Sequence, residues 1–423
     1  MSTIQNIHSL TTQILHRPPS CLEFCPDDPD YFIIGTYLLH EETDDESPQI
    51  KQRKTGSLQL WHLDAANHEL KQKQLLPLPY AVFDLHFHPQ QPTVLGIAGS
   101  DGSVSLYRVL QTQEEPQIRL IWTRKVHEEE NIPALFLAWT PRHWFQHSAM
   151  RDGFAVTFSD GRMSVFATSS SSSSSSRDKD ITEGDGSDLI ETNFQPRERI
   201  ETWFVALADY TTTATTTTTQ PEEANNSVAY SFTGNDFGSL NVRQFTSPDD
   251  DSAEEDVLLE ELQVSNTDDR ARHHTAGVTS ILPLPIPLVQ NAPVLLTGSY
   301  DEYLRVYHAT ARGAVLAEAQ LGGGVWRLQI MHTDKNERKV TFLILASCMH
   351  AGARIVRVSW KQGSSDVSDL GEWDIQVLAQ FTEHESMNYA SGVWKSADTN
   401  SSEVVCVSSS FYDKRLCLWK VQN

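Results

Sequence analysis

The sequence predicts an all-β chain, seven four-stranded antiparallel sheets closing a ring as a seven-bladed β-propeller. Three observations carry this. A hairpin signature recurs, most completely at Leu295-Leu-Thr-Gly-Ser-Tyr-Asp-Glu-Tyr-Leu-Arg-Val-Tyr307, where an apolar run, a Gly/Ser/Asp turn and an alternating run follow one another. In five copies an Asp precedes a bulky apolar residue by six positions: Asp101/Tyr107, Asp160/Phe166, Asp236/Val242, Asp301/Tyr307 and Asp413/Trp419. The intervals exceed the about 40–45 residues of a four-stranded blade, and the excess lies in polar inserts.

Taken in order, Ser9 to Leu15 is a Thr-rich segment predicted to pair beside Cys406 to Val421 and so close the ring, which removes two sheet edges. Unit one runs from Cys21 to about Leu76, with strands at Phe32 to Tyr37 and Leu58 to Trp61 divided by the acidic insert Glu41–Glu46. Unit two contains Val82-Phe-Asp-Leu-His-Phe87, Val94 to Ala98 and Val104 to Val109. Unit three has Ala134 to Trp139, Phe154 to Phe158 and Met163 to Phe166. Unit four opens near Trp203 to Ala208 and resumes at Val228 to Phe232. Units five to seven begin near Val278, Val325 and Gly392 and end at Tyr307, about Val358 and Trp419. Unit six keeps its hairpin position at Cys348-Met-His350 but loses the Asp.

One ring is therefore expected to use residues 1–423, with low-complexity inserts at about 168–198, 209–226 and 246–270. The serine run Ser169 to Ser176, with the acidic residues up to Asp188, cannot bury a core and is expected to be disordered. The Thr run Thr211 to Thr219 has no alternation to fix a face and reads as a loop. Asp249 to Asp256 reads as a solvated insert.

Net charge is −23, which argues against a general nucleic-acid or anionic-membrane binder. The five Cys lack paired spacing, so neither a zinc site nor a disulfide framework is indicated, and no metal or cofactor is expected. Cys406 and Cys417 fall in predicted strands as packed thiols. No signal peptide and no apolar run of 18 residues is read, since prolines break Ile281 to Leu296, so a cytoplasmic protein is expected.

The chemistry is sparse. Ala98-Gly-Ser-Asp-Gly102 nearly matches a nucleophile elbow, but it lies between two strands, where that motif needs a strand and a helix. His273 or His274 with Asp301, and His384 with Asp413, read as structural hydrogen-bond pairs, because a buried carboxylate is costly without donors. His350 is different, since it occupies a turn where other units place Gly, Ser or Asp. Turns between second and third strands share a ring face with the connections between blades. His350, Tyr300, Asp301, Tyr412 and Asp413 should therefore share that face with Gly322-Gly-Gly-Val-Trp-Arg327. A surface ring of packing residues and a site are both compatible with that grouping.

Gly298-Ser-Tyr-Asp-Glu302, Gly322-Gly-Gly-Val-Trp-Arg327, Cys348-Met-His350, Ser410-Phe-Tyr-Asp-Lys-Arg-Leu416, Phe24-Cys-Pro26 and Gly35-Thr-Tyr37 together resemble the eukaryotic WD-repeat diphthine methyl ester hydrolases of diphthamide biosynthesis. The resemblance is densest from Leu295 to Trp419. It implies a carboxylic ester hydrolase that removes the methyl ester of methylated diphthine from elongation factor 2, giving diphthine and methanol. On that implication His350 is expected as general base, with Arg327 or backbone amides near Gly323 stabilising the oxyanion. Trp326, Tyr300 and Tyr412 are expected to hold the trimethylammonium group, with Asp301 and Asp413 adding negative potential or holding their turns. Cys348 is a further nucleophile candidate or a packed thiol. Elongation factor 2 is the expected partner and the chain is expected as a monomer. On fold alone, a non-catalytic protein-binding scaffold is the rival.

Overall fold

In the computed structural model, residues 4–43, 50–113, 115–129, 131–145, 150–169, 180–211, 227–246, 263–336, 338–362, 370–395 and 403–422 are described. Each blade is an antiparallel sheet whose first strand faces the ring centre, and its middle strands, Val94–Gly99 and Val294–Ser299 for example, are buried along their whole length between neighbouring blades. Blade 1 spans Pro19–Phe24 to Glu69–Leu78, blade 2 Val82–Phe87 to Gln117–Lys125 and blade 3 Ala134–Trp139 to Ile190–Phe194. Blade 4 spans Thr202–Thr211 to Gln263–Asp268, blade 5 Val278–Pro283 to Ala314–Gln320 and blade 6 Arg327–Lys335 to Glu372–Phe381. Blade 7 combines Asn388–Trp394, Glu403–Ser410 and Arg415–Gln422 with the N-terminal strand Ser9–Ile14, which pairs antiparallel to Arg415–Gln422 as expected. The three residues before it, Gln5–Ile7, add a parallel fifth strand to blade 6.

The ring is closed. The first strands touch in succession, and that of blade 7 touches that of blade 1. Hydrogen bonds stitch the seams, from Ser20 Oγ to the Val82 carbonyl (2.6 Å), from Trp139 Nε1 to the His86 carbonyl (2.9 Å) and from Thr279 Oγ1 to the Val325 carbonyl (2.6 Å). Stacked pairs such as Phe154/Phe166 and Phe381/Trp419 fill the interior between strands.

Several expectations need adjustment. Two stretches assigned to inserts are fourth strands, Ile190–Phe194 of blade 3 and Gln263–Asp268 of blade 4. The start of the first stretch is also packed: Ile181 is buried and its carbonyl accepts from Trp122 Nε1 (2.9 Å). Polar composition misled there, because an outer strand needs backbone partners and few apolar side chains. Residues 170–179, 212–226 and 247–262, which hold most of the Ser run, most of the Thr run and the Asp249 to Asp256 insert, lie outside the described residues. The connection in blade 1 is a projecting hairpin, Leu38–Thr43 against residues 50–55. Asp236 is one position out of register with the other turn carboxylates: pairing places Leu240 opposite Gly234, and the Asp236 carboxylate accepts from Trp203 Nε1 (2.7 Å). The turn itself is capped by Asn235 Oδ1, which accepts from Phe237 N and Ser239 N.

Candidate functional site

Most first strands carry a β-bulge near their start, between Val82 and Asp84, Thr202 and Phe204, and Asn388 and Ala390 for example. The extra residue, Phe83, Trp203 or Tyr389, is left half-buried at the channel mouth. Turn residues complete a chain of ring contacts along the mouth. Phe83 meets Tyr37 (5.5 Å between centroids), Tyr37 meets Phe411 (6.0 Å) and Phe411 meets Tyr389 (5.6 Å). Tyr389 meets Trp326 (5.0 Å), which meets Tyr300 (6.0 Å) and Trp203 (5.8 Å). Burial raises the hydroxyl pKa of Tyr300, Tyr389 and Tyr37, so all three stay neutral phenols.

Beneath the mouth, Arg327 reaches across the ring from blade 6 to Asp84 of blade 2. Its Nε donates to Asp84 Oδ2 (3.1 Å), its Nη2 donates to the same oxygen, and its Nη1 donates to the carbonyls of Thr279 (3.2 Å) and Trp326 (2.8 Å). Those bonds use four of the five guanidinium N–H groups and leave one on Nη2. The guanidinium also lies against Trp326 (4.6 Å), Phe136 (4.9 Å) and Phe204 (5.4 Å).

Asp84 is buried, and two residues on, the same strand face carries His86. His86 Nδ1 is 3.2 Å from Glu23 Oε2, while Nε2 is 3.5 Å from Asp84 Oδ1 and has no hydrogen-bond partner among the described residues. Burial opposes protonation of His86, but the field of Asp84 and the contact with Glu23 outweigh it and raise its pKa. Glu23, Asp84, His86, Arg327, Tyr389 and Ser391 share the wall of a central cavity of about 210 Å³.

The expected face is correct: the Val325 amide bonds the Ser299 carbonyl and the Thr275 amide bonds Asp301 Oδ2, so turns and interblade loops meet there. Trp326, Tyr300 and Arg327 are brought together. Gly323 packs under the turn of blade 6, where an added Cβ would lie 2.3 Å from the Cys348 carbonyl, so the close approach admits only glycine. His350 sits exposed at the tip of that turn, in the place of Asp301, with no partner among the described residues. Asp301 accepts from Thr275 N (2.9 Å), Tyr303 N (3.1 Å) and Arg305 Nη1 (2.9 Å), and its carboxyl pKa is lowered despite burial. Asp413 likewise holds the loop at Glu385 and Ser386. Both are turn anchors. Tyr412 projects from the rim, 68% exposed, against Phe411.

The expected His/Asp hydrogen-bond pairs do not form, and the histidines make relays to hydroxyls instead: His384 Nε2 meets Ser408 Oγ (2.7 Å), which accepts from Trp419 Nε1 (2.9 Å), His274 Nε2 meets Thr297 Oγ1 (2.9 Å), and neither Nδ1 has a hydrogen-bond partner among the described residues. Cys348 is fully buried and its thiol is pushed up to about 12, which keeps it protonated and packed.

The residues not anticipated are Glu23, Asp84, His86 and the bulge aromatics. A signal existed. In Val82-Phe-Asp-Leu-His-Phe87 the polar pair alternates on one face of a strand that should be apolar on both.

No family model matches the chain. Among curated proteins it is similar to diphthine methyltransferase of Schizosaccharomyces pombe, 27% identical over 391 residues, 92% of this chain and 91% of that protein. It is 30% identical over 205 residues to the Saccharomyces cerevisiae protein of the same name, covering 44% of this chain and 48% of that one. The human protein so named is 35% identical over 86 residues, 20% of this chain and 17% of its own length. Among solved structures, Chaetomium thermophilum Sqt1 bound to the N-terminus of ribosomal protein L10 superposes with a TM-score of 0.53 at 14% identity, over 95% of this chain and 85% of that one. A chain of the mitotic checkpoint complex gives 0.53 at 12% identity, over 100% and 98%. These likenesses support the propeller fold alone.

Proposed function

We propose that this chain acts in diphthamide biosynthesis by hydrolysing the methyl ester of methylated diphthine on elongation factor 2. The observation that carries this reading is vertical order: an aromatic mouth above a cavity holding the Arg327–Asp84–His86–Glu23 chain. The substrate tip would carry a quaternary ammonium beside a carboxyl ester. A cation without N–H groups is held best by π-faces, and Trp326, Tyr300 and Tyr389 present them together. The ester beside it would reach the cavity.

The base expected at His350 is better supplied by His86. Glu23 orients the His86 ring from Nδ1 and leaves the buried Nε2 without a hydrogen-bond partner among the described residues, whereas His350 has no orienting partner among them. In the neutral form His86 takes a proton from water as the water oxygen attacks the ester carbon. The oxyanion accepts from the remaining Arg327 N–H. Collapse breaks the C–O bond, the methoxide leaves with the His86 proton as methanol, and the new carboxylic acid ionises. His350 and Tyr412, on the rim, contact the protein around the modified residue.

The relatives' name favours a second reading, methyl transfer onto diphthine, and the fold favours a third, a scaffold. One assay separates them. Methylated elongation factor 2 is incubated with the chain, and intact mass and methanol are measured. Hydrolysis predicts loss of one methyl mass with stoichiometric methanol, abolished by His86→Asn and retained by His350→Ala. Trp326→Ala should raise KM about ten-fold, matching the ~1–2 kcal/mol of a desolvated cation–π contact. Gain of methyl mass from an added donor, or binding with no mass change, would sink the hydrolysis reading.

A further inference from the structure

A second cavity, of about 400 Å³, opens on the mouth-bearing face in blade 4, outward of Trp203. It is bounded by the turn 235–239 and by the loops that enter and leave the blade. Its wall includes Arg243, which is 8% exposed. A guanidinium so buried normally has a carboxylate or several carbonyls around it. Among the described residues Arg243 has a single hydrogen bond at the limit of distance, Nη1 to Thr233 Oγ1 (3.5 Å), and the ring of Phe194 at 5.4 Å. Burial lowers its pKa to about 10, with Asp268 opposing the shift, so it remains a cation at neutral pH. On the same strand face, the side-chain oxygen of Asn241 is buried in the same cavity with no hydrogen-bond partner among the described residues. Turned over, that amide donates. Arg197 and Arg270 stand exposed at the rim with no ion pair among the described residues. Glu198 and Asp268 also line the wall, but Asp268 Oδ1 is engaged by the Arg270 amide (2.8 Å). Three arginines against two carboxylates leave the cavity cationic within a chain of net charge −23.

We propose that this cavity is an oxyanion-binding subsite, taking a carboxylate or phosphate group, with Arg243 and Asn241 as its floor and Arg197 and Arg270 as its rim. The exposed ring of Phe237, also in the wall, fits an apolar neighbour of that anion. The two sources share one recognition chemistry, a compact anion with at least two acceptor oxygens. The site does not depend on the hydrolysis reading, and its test uses no diphthine.

The full chain is titrated by calorimetry with inorganic phosphate and, separately, with succinate, at low ionic strength. Saturable binding by either supports the subsite, and the tighter probe identifies the source as phosphate or carboxylate. Arg197→Gln with Arg270→Gln lies on the surface and should fold. It should weaken binding at least five-fold, and 0.5 M sodium chloride should weaken it further. Arg243→Gln should abolish binding with a native melting curve. If Arg243→Gln fails to fold, the surface pair still decides. Absence of saturable binding to both probes, or equal binding by the surface pair, overturns the proposal.

Discussion

At the scale of single residues, the cavity turns on how two charges of each sign share one small space. Asp84 is buried between Arg327 and His86, and Glu23 flanks His86 on its other side. The raised pKa of His86 has a direct kinetic sign. The protonated ring cannot accept a proton from water, so turnover should rise with pH through a midpoint above the ordinary imidazole value of about 6.5. Glu23→Gln keeps the shape of the contact and removes one of the two charges that favour the cation. The kcat profile of that variant should therefore shift to lower pH, while a merely structural role for Glu23 would lower the plateau and leave the midpoint fixed. The opposite holds for stability: the contribution of this contact is present at low pH and lost as pH rises through the raised value.

At the scale of elements, the closure made by Ser9–Ile14 is the joint at which the N-terminal segment completes blade 7. Its loss would leave Arg415–Gln422 as an open edge, ready to pair with another chain. Deleting residues 1–15 should lower the melting temperature by 10 °C or more, an order set by removing one strand's ladder and packing, and should bring aggregates into size-exclusion profiles. A monodisperse, equally stable truncation would show that the segment is dispensable. This joint was legible from composition and from the logic of ring closure. So were the turns, because Gly, Ser and Asp are demanded by their backbone geometry. Two kinds of feature were not. Fourth strands such as Gln263–Asp268 pair through backbone on an outer edge and need no apolar pattern. The channel residues come from three blades, Glu23 from blade 1, Asp84 and His86 from blade 2 and Arg327 from blade 6, and their meeting depends on ring curvature, which no local spacing encodes. The bulges lie between the two, since one extra residue per inner strand changes the facing of Trp203 and Tyr389 without leaving a mark in the hydrophobic pattern.

At the scale of the whole molecule, acid sets two effects against each other. Acidification protonates carboxylates and exposed histidines, reduces the charge of −23 and relieves self-repulsion. Against this, burial lowers the pKa of His274 to about 3 and that of His384 to about 4. Both rings are neutral in the folded ring and protonate near 6.5 once unfolded, so the unfolded state binds more protons across that interval. Stability from these groups is complete above about pH 6.5 and falls as pH drops toward 4. A group shifted as far as His384 contributes up to about 3 kcal/mol, a large share of the roughly 5–15 kcal/mol by which domains are stable. The relays sit in blades 5 and 7, on opposite flanks of blade 6, so loosening either one also frees a neighbour of the mouth. We therefore expect the melting temperature to fall between pH 6.5 and 4.5 at constant ionic strength, with the slope reduced in His384→Gln. A melting temperature that rises across this interval would show that relief of self-repulsion outweighs the buried imidazoles.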